Sequence, residues 1–324
     1  MTTRAALLLL VACLTCCDRR NTPTATVVLY SSIDQPYLAP LAQEFEQRTG
    51  IHVVLQTDTE ATKSVGLAER LRAEKDHPQA DVWWSNEPFH TIALAREGVL
   101  AKYDSPSAAS IPAPYKDAGQ TWAGCGLRAR VLAVHNDDDA STSLQDLLKA
   151  RYRGKVAIAR PTAGTTAGHI AALSVLWGDE RASEFLRKLK ENDVKLLGGN
   201  GPVAEAVGRG TVLIGLTDND DVESARREGG SVSAIMPDQR GEGTLMIPTT
   251  VGLIAGAPHP DAAKKLIDYL LSSEVEAKLM RANFAGWSVR EQGGPTAMKV
   301  DYGRVAEMMP QVVRTATNIL EGRE

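Results

Sequence analysis

Thr26-Val-Val-Leu-Tyr30 is a short run rich in β-branched residues; behind it Leu38, Leu41 and Phe45 recur at helical spacing between Pro36 and Arg48, then come Gly50 and Ile51-His-Val-Val-Leu55. This reads as strand, helix, strand. Apolar residues three and four apart give the middle segment one core-facing side, and the glycine is a natural helix stop. The pattern continues outward. Ser64 to Glu74 carries Leu67 and Leu71 on one face, Ala80-Asp-Val-Trp-Trp84 is a third strand, and Phe89 to Glu97 a third helix ending at Gly98. Strands alternating with helices of this length predict βαβ units and a mainly parallel sheet, an α/β fold.

A second alternating set lies further on: strands at Val156–Ala159, Val194–Leu197 and Val212–Leu216, and helices at His169–Trp177, Ala182–Asn192 and Pro202–Gly208. Between the sets, Leu127, Ala129 and Val131 alternate with Arg128 and Arg130, as in an extended crossover strand. A returning strand, Thr249–Ala255, precedes an amphipathic helix from His259 to Leu271, and a last helix runs from Val305 to Leu320. The expected architecture is two lobes, residues 26–126 plus 246–324 and residues 127–245, joined by extended segments near 125–133 and 238–250. A ligand would sit in the cleft between them and be trapped by hinge closure.

Of the 324 residues, 23% are charged and 43% hydrophobic, with a net charge of −4. There is no basic stripe of the kind a nucleic-acid binder carries. Arg4 followed by Ala5-Ala-Leu-Leu-Leu-Leu-Val-Ala-Cys-Leu14 reads as a targeting leader, too short to span a bilayer. Leu14-Thr-Cys-Cys17 resembles a bacterial lipobox, which predicts a leader over residues 1–17, a lipid on Cys17 and a polar tether over 18–25; Cys13 is the competing position. A lipid there would fix the protein to a membrane while the folded body stays outside the bilayer. Cys125 is then the one cysteine left in the body, and it reads as a small packed residue.

Candidate binding residues cluster in two places. Val212-Leu-Ile-Gly-Leu-Thr-Asp-Asn-Asp-Asp221 is an apolar strand that stops in three carboxylates and an amide. Ligands of open α/β sheets bind beyond the carboxyl ends of strands, so this acidic loop is placed either to receive a cation or amine, or to form a solvated turn. Arg160-Pro-Thr-Ala-Gly-Thr-Thr-Ala-Gly168 lies between a strand and a helix, where exposed backbone N–H groups make an anion seat; ordinary threonine capping is the alternative. Arg128 and Arg130, two apart on a strand, share a face and either pair the acidic side chains or meet an anion. Trp83 and Trp84 should face opposite ways, one to the core and one toward the cleft, and His169 reads as a packed histidine.

Val27-Val-Leu-Tyr-Ser-Ser32, Phe45-Glu-Gln-Arg-Thr-Gly50, Ala80-Asp-Val82, Gly126-Leu-Arg-Ala-Arg-Val131, Gly154-Lys-Val156, Ala204-Glu-Ala-Val-Gly-Arg-Gly210 and Ile247-Pro through Ala277 stand in order. Together they resemble the extracellular solute-binding proteins of bacterial ABC importers, nearest to the ferric-iron-binding group. The resemblance implies a two-lobe, periplasmic-binding-protein type II-like fold with a hinge and an interdomain cleft. It further implies a permease partner and a periplasmic or extracytoplasmic place, with the membrane reached only through the lipid. The tyrosine pair that holds iron in that group is absent here, and its positions fall at Asp220 and Asp221; the early-loop donor falls near Asp34 and Gln35, and the first-lobe glutamate at Asn86, with Glu87 beside it. Carboxylates remain hard oxygen donors, so the expected ligand set is Asp34, Glu87, Asp218, Asp220 and Asp221. The matching anion site, which in relatives holds a synergistic anion, comprises Gly164, Thr165, Thr166, Gly168 and Asn200.

The function expected from these features is capture of a small charged solute, ferric iron or another metal cation first and an aminophosphonate such as 2-aminoethylphosphonate second. In the second case the acidic loop would hold the amine and the Thr-Gly loop the anionic end. No resident cofactor, no nucleic-acid partner and a monomer are expected. An enzyme is disfavoured, because the sequence has no Gly-x-Ser-x-Gly elbow and no His-Glu-x-x-His motif.

Overall fold

A computed structural model describes residues 25–59, 62–136 and 142–323. The expected leader, with Cys13 and Cys17, and the tether up to residue 24 lie outside the described residues. Among the described residues no helix is long and apolar enough to cross a membrane.

The elements in order are β1 (Thr26–Ser31), α1 (Gln35–Thr49), β2 (His52–Thr57), α2 (Val65–Ala73), β3 (Val82–Ser85), α3 (Pro88–Arg96), β4 (Leu100–Ala101) and β5 (Trp122–His135). There follow β6 (Val156–Ala159), α4 (Gly164–Trp177), α5 (Asp179–Glu191), β7 (Lys195–Leu197), α6 (Asn200–Gly208), β8 (Ile214–Asp218), α7 (Asn219–Arg227) and β9 (Val232–Ile235). The last are β10 (Met246–Ile254), α8 (Pro260–Leu270), α9 (Ser273–Arg281) and α10 (Tyr302–Glu321). The strands form one open mixed sheet in the order β2-β1-β3-β10-β5-β8-β6-β7, with β4 beside β10 and β9 beside β5.

The long strand β5 makes two lobes from one sheet. Its first half pairs antiparallel with β10, in the lobe that also holds the parallel strands β1, β2 and β3. Its second half pairs with β8 and β9, and β8 leads to the parallel strands β6 and β7. At the changeover the β5–β10 register slips: Leu127 faces Pro248 and Cys125 faces Thr249, so Gly126 is an extra residue. Proline has no N–H for a ladder and is tolerated in sheets at bulges. Gly126 sits at φ +74°, where a Cβ would be strained and would lie 2.8 Å from Ala285. The donors set free here are taken up from the first lobe. Gly126 N–H donates to Glu276 Oε1 at 2.9 Å and Leu127 N–H to the Trp287 carbonyl at 2.7 Å. Glu276, itself buried, is held by Ser288, Val289 N–H and Arg290.

Two expectations are corrected. The tail does not belong to the first lobe alone: α10 packs on α4 and α5 of the second lobe as well as on α3. Its Val305, Met309, Val312 and Ile319 share one apolar cluster with Ile170, Phe185 and Leu189, and with Phe89 and Ile92 of α3. Neither Trp83 nor Trp84 reaches the cleft. Both are fully buried, and their indole N–H groups donate to Thr91 and Thr249 respectively.

Candidate functional site

The site is assembled where β8 runs into α7. The strand carries on past Leu216 through Thr217 to Asp218, and the helix begins at once with Asn219, so there is no acidic loop between them. Asp218 is the strand's last residue, and Asp220 and Asp221 lie in the helix's first turn, where carboxylates suit the macrodipole. Arg130 stands opposite Asp218 in the β5–β8 register, and Arg128, two residues back, shares its face. Arg130 Nη1 donates to Asp218 Oδ1 at 2.7 Å; Arg128 Nη1 donates to Asp220 at 2.9 Å and to Asp218 Oδ2 at 3.2 Å. The four side chains are almost wholly buried: Arg128 at 2%, Arg130 at 0%, Asp218 at 1% and Asp220 at 3% exposure. A buried charge survives when paired and hydrogen-bonded, and each here is both.

The predicted anion residues form the next layer. Helix α4 begins at Gly164, so Thr165, Thr166 and Gly168 belong to a helix rather than to a loop. Every residue from Gly164 to Ser174 is buried, and that burial outweighs the weak helix propensity of threonine and glycine. Thr165 Oγ1 donates to Asp218 Oδ2 at 2.6 Å, and Arg130 donates to Thr165, Thr166 and Asn200. Asn200 Nδ2 donates to Thr165 Oγ1 at 2.7 Å. Gly168 has a different role: it lies against Phe89 of the first lobe, so close that a Cβ would fall 2.0 Å from a ring carbon. Gly164 N–H crosses the cleft to the Lys63 carbonyl at 3.2 Å.

The first lobe supplies the facing wall. Lys63 Nζ donates to Asp34 Oδ1 at 2.6 Å, and the Asn86 carbonyl accepts from Arg128 Nη2 at 2.9 Å. Glu87 does not face the cleft. Its carboxylate caps α3, accepting from Phe89 and His90 N–H groups and from the His90 ring, and it is fully buried there. Among the described residues, two spaces lie between the lobes beside these groups. One, of about 30 Å³, lies among Asn86, Arg128, Gly164, Thr165 and Asn200 at the first turns of α4 and α6. The other, of about 420 Å³, opens outward among Asp34, Tyr37, Glu205, Asp220, Asp221 and Arg227. Lys63 and Asp221 line both. Sequence reasoning missed Lys63 and Tyr37, and neither carries a local signal: one is a lone lysine ahead of α2, the other a first-turn residue of α1.

The electrostatics are uneven across the carboxylates. Burial acts to raise Asp218, but Arg130 and Arg128 hold it below the ordinary range. Burial pushes Asp220 up to about 6 despite Arg128, with Asp218 and Asp34 adding to the rise. Burial and the neighbouring Asp220 and Asp218 push Asp221 well above the ordinary value. Burial also lowers His169 to about 3, helped by Arg130, so its ring is neutral. One oxygen from each of Asp218, Asp220 and Asp221 can meet within 4.8 Å, a spacing compatible with a cation.

Known proteins extend this picture. The family model described as bacterial extracellular solute-binding protein matches residues 25–285. A Salmonella typhi protein named "Putative 2-aminoethylphosphonate-binding periplasmic protein" is 28% identical over 237 residues, 71% of this chain and 68% of its own length. Iron uptake protein A1 of Synechocystis is 25% identical over 271 residues, 79% of this chain and 74% of its own. The ferric binding protein from Campylobacter jejuni superposes with a TM-score of 0.80 at 21% identity, covering 90% of this chain and 99% of that one. That likeness establishes the two-lobe binding-protein fold. The chain belongs to the bacterial extracellular solute-binding protein family, a family of binding proteins and not of enzymes.

Proposed function

We propose that the solute is a small zwitterion with a compact oxyanion head and an amine tail, of which 2-aminoethylphosphonate is the model. The observation that carries this reading is the division of the cleft into two spaces, one richer in donors and one richer in carboxylates. The smaller is bounded by the first turns of two helices, Thr165, Asn200, Lys63 and Arg128, groups suited to an oxyanion, with Asp221 and the arginine-paired Asp218 beside them. The larger is bordered by Asp34, Asp220 and Asp221, acceptors for an ammonium group. Asp218 and Asp220 already carry guanidinium partners, so the acidic cluster is far less anionic than its sequence suggests. The Salmonella typhi relative's name points the same way. Gly164, Thr165 and Asn200 would border the head and Asp34, Asp220 and Asp221 the amine, whereas Gly168 and Glu87 would act as packing and capping residues.

A metal cation, ferric iron included, is the second reading, and the meeting of three carboxylates favours it. Iron uptake protein A1 is a relative whose name fits it. Calorimetry with 2-aminoethylphosphonate, alongside elemental analysis and native mass spectrometry of protein purified without chelator, separates the two. One equivalent of the phosphonate bound by metal-free protein supports the zwitterion. A stoichiometric metal lost on Asp220→Ala, with no phosphonate heat, overturns it. We also infer that Cys17 carries the lipid; a Cys17→Ser protein still held in the membrane fraction would refute that anchor.

A further inference from the structure

Helix α7 carries Asn219, Glu223 and Arg227 at a spacing of four, which puts all three on one side of the helix. That side runs from the crossover strand β5 to the first lobe. Asn219 Oδ1 accepts from Ala129 N–H at 2.7 Å, Glu223 Oε1 accepts from Asn283 Nδ2 at 3.2 Å, and Arg227 Nη2 donates to Tyr37 Oη at 2.8 Å. The Arg227 guanidinium also lies over the Tyr37 ring, 5.9 Å from its centroid. Tyr37 in turn packs on Phe284 at 4.7 Å, and Phe284 carries the Arg128 guanidinium 5.1 Å from its own centroid. Cation, ring, ring and cation thus form one row from the protein's surface to the buried base of the cleft. Its two ends belong to the second lobe's side and its middle to the first lobe.

We propose that Tyr37 and Arg227 are positioning residues that form the closing clasp of the cleft, and that Phe284 ties the clasp to Arg128. It rests on the cleft being the solute site and not on which solute enters. The row is broken when the lobes part, because Arg227 and Tyr37 sit on different lobes. Its outer link is exposed, so it contributes modestly; its inner link is buried and shares Arg128 with Asp218 and Asp220. Closure and the set of Arg128 are therefore one event, and the clasp acts on solute release rather than on entry.

The test uses the mature protein with spin labels at Gln47→Cys and Arg209→Cys, exposed positions on opposite lobes; Cys125 is fully buried and stays unlabelled. The clasp predicts a short-distance population before any solute is added. Arg227→Ala and Tyr37→Phe should each deplete it, and the double variant should deplete it no further than the stronger single one, because both remove one contact. Stopped-flow release of 2-aminoethylphosphonate should quicken by roughly three- to tenfold in either variant, with association unchanged. Arg227→Lys, which keeps a donor and a cation, should recover part of the effect. Unchanged distances, effects that add in the double variant, or a wild type showing only the long distance overturn the clasp. If wild-type protein ignores the phosphonate, the zwitterion reading falls, and the distance measurement alone decides the clasp.

Discussion

The contact between Gly168 and Phe89 allows a worked prediction. Gly168 lies inside α4, where Gly→Ala in an exposed helix gains about 1 kcal/mol. Here the added methyl would stand 2.0, 2.3 and 3.0 Å from three ring carbons of Phe89. The ring must retreat by more than an ångström, yet it is fully buried and set edge-on against Tyr302 at 6.0 Å. Overpacking of a tight core costs about 1–3 kcal/mol, and a clash with a rigid aromatic ring belongs at the upper end. The clash therefore outweighs the propensity gain, leaving a net loss of about 2 kcal/mol. With an unfolding entropy of about 2.1 cal/mol/K per residue, that lowers the melting temperature of a chain this size by roughly 3 °C. Thermal melts followed by circular dichroism measure it. Phe89→Leu in the Gly168→Ala background should recover part of the loss, because the smaller side chain vacates the methyl's place. A Gly168→Ala protein that melts at or above wild type, or a pair whose effects simply add, would refute the reasoning.

Two further outcomes follow from the buried charges. Asp218→Ala leaves Arg130 and part of Arg128 without a counter-ion, which should cost about 3–5 kcal/mol, since an unpaired buried charge is far worse than a paired one; a urea midpoint close to wild type would contradict this. Asp220 is raised from the ordinary 3.8 to about 6, so the folded state keeps a proton that the unfolded chain releases. Its contribution is full below about pH 4 and is lost as pH rises through 6. Asp220→Asn mimics the protonated form, so the variant should gain on wild type in melting temperature between pH 4 and 6.5, and parallel curves would sink the assignment.

The fold was legible wherever one periodicity held over a whole element. Leu38, Leu41 and Phe45 mark α1 because the helix has one wet side, and α8 is just as plain. Helix α4 was misplaced at its start because it is buried all round, so no amphipathic pattern announces Gly164 and its threonines read as a loop. Helix α9 carries no separate signal because only two residues, Leu271 and its cap Ser272, separate it from α8. In the site, the acidic run gave the place but not the state. Composition cannot show that two guanidiniums already sit among the carboxylates, although the two-residue spacing of Arg128 and Arg130 put them on one face. Glu87 was misread although Pro88 follows it: an acceptor side chain directly before proline is a helix-start signal. Lys63 and Tyr37 come to the cleft only through tertiary packing.

Helix α10 has an implication for how the chain is made. Its residues come after every strand and helix of the lobe whose apolar side it covers. Until residues 302–321 arrive, Ile170, Phe185 and Leu189 lack their lid, and that half of the molecule is left with an uncovered greasy surface. The core of that half is therefore complete only when the C-terminal residues have joined it.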